Sequence, residues 1–171
     1  RRVLFRSNAI DDTRFEERRG DRDAVRRILM CTGKIYYDLA ARRDELDTDE
    51  LAIVRLEQLY PFPTEEMRSM IDRYPNHESI TWVQEEPRNH GAFFHVQRMM
   101  QERLEFEIDD ISRVSSPSPS GGSSAMHEQE QREIVITAID GGARSRSEGN
   151  KKKKSKSDKK DSSRSKSSAR S

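Results

Sequence analysis

The sequence predicts an α/β domain, a mostly parallel sheet with helices on both faces, and three observations predict it. Ile28-Leu29-Met30-Cys31, Leu51-Ala52-Ile53-Val54 and Ile80-Thr81-Trp82-Val83 are short, largely apolar runs, the pattern of strands covered on both sides. Segments with apolar residues at helical spacing lie between and after them. Strand and helix alternating in this way is the arrangement of parallel strands joined by crossover helices.

Taken in order, Ile28–Cys31 is the first strand, and Thr32-Gly33 breaks it. Lys34 to Leu46 then places Ile35, Tyr36, Leu39 and Ala40 on one helical face, suited to lie against a sheet. Leu51–Val54 is the second strand. In Tyr60-Pro61-Phe62-Pro63 the two prolines fix an extended turn. The Tyr60 and Phe62 rings either lie on a neighbouring domain or complete this domain's own core. Thr64 is an expected helix N-cap with Glu65 and Glu66 in the first turn, where carboxylates suit the helix dipole. Met67, Met70, Ile71 and Tyr74 follow at i, i+3, i+4 and i+7, and Pro75 ends the helix.

Ile80–Val83 is the third strand. Asn89 is an expected cap for a further helix whose buried face reads Phe93, Val96, Met100 and Leu104. Ile111 to Val114 is a fourth strand. The Ser/Pro/Gly stretch from Ser115 to Ser124 leads to a last helix from Ala125 to Ile139, ending at Gly141-Gly142. The expected organisation is an irregular lead-in over residues 1–21, the α/β domain over 22–140, and a disordered basic tail over 141–171.

Composition supports that division. Of 171 residues 32% are hydrophobic and 37% charged, too polar on average for one packed domain. The average conceals two polymers: Gly141 to Ser171 holds 12 Lys or Arg against three acids, a net +9, which leaves −8 on the first 140 residues. A body of that size can bury about two-thirds of its unfolded surface. The tail is too polar to bury any and is expected to be disordered, with salt-sensitive affinity for nucleic acid or acidic surfaces. Cys31 is the sole cysteine, which excludes an internal disulfide or a cysteine-rich metal cage and fits a reducing compartment. No apolar run approaches the roughly 20 residues of a membrane span. The opening Arg1–Ser7 lacks the apolar stretch of a signal peptide, and a chain that starts on Arg1 is expected to be a piece of a longer one.

Candidate chemistry is sparse. Glu85 and Glu86 follow a strand, where α/β proteins place functional groups, but consecutive residues on an extended chain point to opposite faces and do not share one reacting proton. Capping a loop or touching a neighbouring domain is the plainer role for both. His90 and His95 are five apart, which does not stack them on one helix face as metal ligands. His127 opens the last helix; it is either a water-exposed helix-start histidine or one that senses pH or meets a phosphate. Arg113, Ser116, Ser118 and Gly122 stand before it as an anion-friendly set.

Five segments in order carry a family resemblance: Met30-Cys31-Thr32-Gly33-Lys34-Ile35-Tyr36-Tyr37-Asp38-Leu39, Arg55-Leu56-Glu57-Gln58-Leu59-Tyr60-Pro61-Phe62-Pro63, Trp82-Val83-Gln84-Glu85-Glu86-Pro87-Arg88-Asn89-His90-Gly91, the loop Arg113, Ser116, Ser118, Pro119, Gly122, and His127-Glu128-Gln129-Glu130-Gln131. Over Arg14 to Ile139 the chain resembles the carboxy-terminal domain of 2-oxoglutarate dehydrogenases; Val114 and Pro117 depart from the pattern, where the family usually shows Pro and Ala.

The resemblance implies the transketolase-type carboxy-terminal fold and a parent subunit that decarboxylates 2-oxoglutarate in the tricarboxylic acid cycle with thiamine diphosphate and Mg. Neither cofactor is expected in this piece, which follows the cofactor-binding domains. It implies those preceding domains, a homodimer mate and a lipoyl-bearing succinyltransferase component as partners, no membrane, and a cytoplasmic or mitochondrial-matrix location. Catalytic, cofactor and metal residues are expected to be none here; Arg113, Ser116, Ser118, Gly122 and His127, with Tyr60, Phe62, Glu85, Glu86 and Asn89, are candidates for an effector site or an interface. Some members of the family are regulated by nucleotide or acyl-coenzyme A effectors. A 2-oxoadipate dehydrogenase is an alternative parent, and a stand-alone α/β module with a nucleic-acid-binding tail is an alternative class, separable by the reading frame upstream of Arg1.

Overall fold

The computed structural model describes residues 7–16, 20–117 and 126–141. The chain divides into two units, residues 1–139 and 140–171, and of the second only Asp140 and Gly141 are described. The described strands are β1 (Ala9–Ile10), β2 (Arg27–Cys31), β3 (Leu51–Leu56), β4 (Ser79–Pro87) and β5 (Asp109–Arg113). The helices are α1 (Thr13–Glu16), α2 (Ile35–Leu46), α3 (Thr64–Ile71), α4 (Phe93–Met99) and α5, residues 126–141.

The strands form one sheet in the order β1-β3-β2-β4-β5, with β1 antiparallel to β3 and all other pairs parallel. β2 lies at the centre, its Arg27 level with Leu51 on one side and Ser79 on the other. Successive side chains of β2 leave on opposite faces, so each face has its own core. Ile28 and Met30 join Val54, Ile80 and Trp82 under α3 and α4, whose Met67, Met70, Ile71, Phe93 and Val96 close that layer. Leu29 and Cys31 join Leu51, Ile53 and Val83 under Ile35, Tyr36 and Leu39 of α2 and Ile134, Val135, Ala138 and Ile139 of α5. Both faces are therefore covered, which is why these strands read as continuous apolar runs. Each fully buried Leu or Ile contributes about 1.5–3 kcal/mol.

Helix ends differ in detail from the sequence expectation. α2 begins after Gly33, which holds φ +73°, and ends on Asp47 in the left-handed conformation. Pro63, not Thr64, occupies the N-cap of α3, and Thr64 is its first helical residue. A proline that fixes the entering backbone makes a side-chain cap dispensable. α3 stops at Ile71, yet Tyr74 still reaches the core because a further turn follows, with the Tyr74 N–H donating to the Ile71 carbonyl at 2.9 Å. α4 continues as a π-turn over Met100–Leu104, which keeps Met100 and Leu104 on the buried face.

Residues 1–21 correct the expectation of an irregular lead-in. Their described part supplies β1, paired through Ala9↔Leu56 and Ile10↔Arg55, and then two buried carboxylates. Asp12 accepts from the Ile53 N–H at 2.7 Å and is ion-paired with Arg43 of α2, itself almost fully buried. Asp11 accepts from Tyr74 Oη at 2.5 Å, Arg73 at 2.9 Å and Arg22 at 3.0 Å. Burial acts to raise the Asp11 carboxyl, but these bonds and the Asp12 N–H outweigh it and hold it below its ordinary value. Arg43 occupies a position that helical spacing would give to an apolar residue; the distant, buried Asp12 and the adjacent Asp44, at 3.2 Å, make its burial tolerable. The basic tail expected over 141–171 lies, beyond Gly141, outside the described residues.

Candidate functional site

The polar candidates gather at the carboxyl ends of β4 and β5. These strands pair from Thr81↔Asp109 to Val83↔Ile111, then shift register so that Pro87 stands opposite Arg113. The shift is at a proline, which has no N–H to give the ladder. Beyond it, the Arg88 N–H donates to the Arg113 carbonyl at 3.0 Å and ties the following turn to β5.

Gln84 shapes that turn from inside. Its Oε1 accepts from Trp82 Nε1 at 2.8 Å and from the Phe93 N–H at 3.1 Å; its Nε2 donates to the carbonyls of Pro87 at 3.1 Å and Glu86 at 3.3 Å. Gly91 lies directly on this amide, where any Cβ would collide with it. The turn therefore requires glycine for close approach.

Asn89 is not the helix cap the sequence suggests: α4 starts at Phe93 with Ala92 before it. Its amide instead grips Ser116 as a strand would, accepting from the Ser116 N–H and donating to the Ser116 carbonyl, each at 3.0 Å. His90 Nε2 donates to the same carbonyl at 2.7 Å. Arg113, at the end of β5, donates from Nη2 to His127 Nδ1 of α5 at 2.7 Å, and its Nε lies 3.4 Å from Glu130 Oε2. The Arg113 side chain is only 10% exposed, and its Nε makes no hydrogen bond within the protein. Arg88 pairs with Asp110 at 3.1 Å and lies over the rings of Phe93 and Phe94.

Arg88, Asp110, Arg113, Ser116, Glu130 and Glu133 line a cavity of about 800 Å³. Arg113, Ser116, His127 and Asn89 are thus brought together. Ser118 and Gly122 lie outside the described residues.

The other candidates lie elsewhere. Glu85 pairs with Lys34 at 3.3 Å across the carboxyl ends of β2 and β4, where the strand order reverses. Lys34 is largely exposed, so the pair is worth little energetically. Glu86 is exposed and shares nothing with it. Phe62 packs against the core with its ring edge towards His95, whereas Tyr60 is 86% exposed. His95 binds the Leu59 carbonyl at 3.0 Å. Among the described residues no three His, Cys, Asp or Glu side chains converge to hold a metal. Arg55 stacks over Tyr36 and Tyr37 at the end of β3.

A sequence profile of the family described as 2-oxoglutarate dehydrogenase C-terminal matches residues 4–139. The chain belongs to this family. It is 42% identical over 140 residues to a "Multifunctional 2-oxoglutarate metabolism enzyme" of Mycolicibacterium vanbaalenii, covering 80% of this chain and 11% of that protein. A protein of the same description from Mycobacterium sp. (strain KMS) is 42% identical over 138 residues, covering 79% and 11%. The chain therefore spans about 11% of the length of these curated relatives. A solved structure described as a split-gene transketolase, an inactive β4 tetramer, aligns with a TM-score of 0.47 at 14% identity, over 67% of this chain and 39% of its own.

The 2-oxoglutarate dehydrogenase C-terminal match begins ahead of Arg14, where the sequence resemblance begins, and takes in β1. Arg88 and Glu130, which line the cavity, and Gln84, which shapes the neighbouring turn, were not singled out from the sequence. Gln84 and Arg88 sit in the segment Trp82–Gly91, where the Asn-His-Gly run signals a turn. Glu130 is three residues past His127, and that spacing puts both on one face of α5.

Proposed function

We propose that this domain is the carboxy-terminal end of a subunit that decarboxylates 2-oxoglutarate with thiamine diphosphate and passes the succinyl group to a lipoyl carrier. In this reading the cofactor-binding domains precede it, and the domain contributes packing against them and the homodimer mate. The observation that carries the reading is the 42% identity, across the domain, to proteins named for 2-oxoglutarate metabolism that are far longer than this chain. Among the described residues no three His, Cys, Asp or Glu side chains converge to hold the Mg that accompanies thiamine diphosphate, so in this reading both belong to the preceding domains. No step of the reaction is assigned to the described residues.

The cavity between β5 and α5 supports a second contribution, the binding of an anionic effector. Arg113 and Arg88 face it from rigid strand ends, and Asn89 with His90 fixes the Ser116 backbone at its rim.

The test is a chimera. Residues 1–140 are joined to the cofactor domains of a working 2-oxoglutarate dehydrogenase, and reduction of an artificial electron acceptor is followed with thiamine diphosphate and either 2-oxoglutarate or 2-oxoadipate. Activity with 2-oxoglutarate is expected. A soluble chimera that is inactive with it, or that works only with 2-oxoadipate, overturns the reading.

A further inference from the structure

We infer that β5 is a pairing edge, to which a second copy of this chain adds its own β5 antiparallel and so joins the two sheets into one. This deepens the reading of the domain as one half of a homodimer by naming the surface where the halves meet, and it rests on that reading for the mate.

β5 ends the described sheet, and among the described residues no strand pairs with its outer side. Such an edge is a template for another strand. The opposite edge strand, β1, has only two residues, whereas β5 has five. The cavity of about 800 Å³ runs along β5: every residue from Asp110 to Ser116 lines it, although alternate side chains of a strand leave on opposite faces. Ile111 packs against the core under α5 and Arg113 reaches His127, while Asp110 meets Arg88 on the other face. A groove lined from both faces follows the strand edge itself, which is the shape that strand addition needs.

The self-complementarity of Asp109-Asp110-Ile111-Ser112-Arg113 selects a second copy as the added strand. In an antiparallel pair centred on Ile111, Asp109 of each copy faces Arg113 of the other, Asp110 faces Ser112, and Ile111 faces its own counterpart. Opposite charges across a ladder attract, and a two-fold axis makes each pair occur twice. A parallel pair in register would instead set Asp109 against Asp109 and Arg113 against Arg113. Asp109 is exposed and has no ion pair or hydrogen bond among the described residues. Arg113 spends one donor on His127 and leaves its Nε without a hydrogen bond, so a carboxylate of the mate takes there the place that an effector anion takes in the single chain. The same register continues past the charges. Val114, 88% exposed, falls opposite Ile108, which with Phe106 walls part of a second cavity of about 390 Å³. One end of the strand thus presents an apolar side chain, and the other end a hollow beside which it lands.

The test follows the 171-residue chain by sedimentation over a wide concentration range, with amide exchange of β5 and isotope-filtered NMR on mixed labelled and unlabelled chains. A monomer–dimer equilibrium is expected, with β5 amides better protected as concentration rises and contacts between Val114 of one copy and Ile108 of the other. D109R, which sets like charges across both pairs, is expected to weaken the dimer about tenfold. V114D is expected to weaken it as well, and an unchanged unfolding midpoint of each variant at high dilution shows that the fold is intact. A dimer that ignores both substitutions and leaves β5 exchange unchanged pairs through another face and overturns the inference. So does a chain that stays monomeric, including one whose β5 amides gain protection only when it is joined to the cofactor domains, which gives the edge to a preceding domain. Pairing is read on this chain alone, so its failure is distinct from an inactive chimera, which overturns the decarboxylase reading instead.

Discussion

Arg27, at the start of the central strand, donates from Nη2 to the carbonyl of Ile139 at 2.6 Å, and from Nη1 to that of Ala138 at 2.9 Å. Two residues 112 positions apart are thereby joined, tying the central strand to α5 through charge-assisted bonds.

Removing that guanidinium takes a charged donor from each of two carbonyls. R27A is expected to cost about 2–3 kcal/mol, the range for bonds made by charged groups, and R27K to recover only part because an ammonium does not match two carbonyls side by side. Urea denaturation gives the values. Amide exchange should quicken selectively in α5, and an unchanged exchange pattern would show that the apolar face alone holds that helix.

Asp11 gives a pH signature. Its folded carboxyl is held below the ordinary value, so its contribution is fully present well above the unfolded value of about 3.9. As pH falls through that value towards the lower folded one, the contribution is lost. D11N is therefore expected to be less stable than the natural chain at pH 7, with the gap narrowing below about pH 4. A gap that stays constant from pH 7 to pH 3 would contradict the assignment.

The Gln84 amide is nearly inaccessible and uses both ends. Q84L is expected to cost about 2–4 kcal/mol, because the Trp82 Nε1 and Phe93 N–H donors and the Pro87 carbonyl lose their partner. G91A is expected to destabilise through its collision with the same amide. Since both act on one contact, the double variant in a thermodynamic cycle should lose less than the sum of the two; additivity would mean that Gly91 matters for another reason.

Cys31 is buried at the end of the central strand, and burial pushes its thiol up to about 12. It is expected to resist iodoacetamide at pH 7.5 in the folded chain and to react once urea unfolds it. A raised folded value also means that its stabilising contribution is present below about pH 8.5 and declines as pH rises above that towards about 12. Rapid labelling of the native protein would show that β2 opens.

Asn89 is expected to govern order at the cavity rim. N89A removes both bonds to the Ser116 backbone, so the Ser116 amide should lose protection from exchange by about tenfold, with little change in the global unfolding midpoint. If the midpoint falls as far as it does in Q84L, Asn89 supports the fold rather than the rim.

What the sequence determines here is periodic. Ile28–Cys31, Leu51–Val54 and Ile80–Val83 had to be strands because both faces are covered, and Met67, Met70 and Ile71 or Phe93, Val96 and Met100 had to face inward because apolar area favours one side of a helix. The family signature was legible for a similar reason, since it lies in contiguous segments such as Trp82–Gly91. Tertiary structure alone decided the rest. That Asp12 meets Arg43, that Asn89 holds Ser116 instead of starting a helix, that Glu130 stands on Arg113, and that residues 9–10 add an edge strand all depend on partners distant in the chain. A charged or amide side chain has no period to betray its role; its energy depends on which donor or acceptor the fold brings within about 3 Å, and only folding chooses that partner.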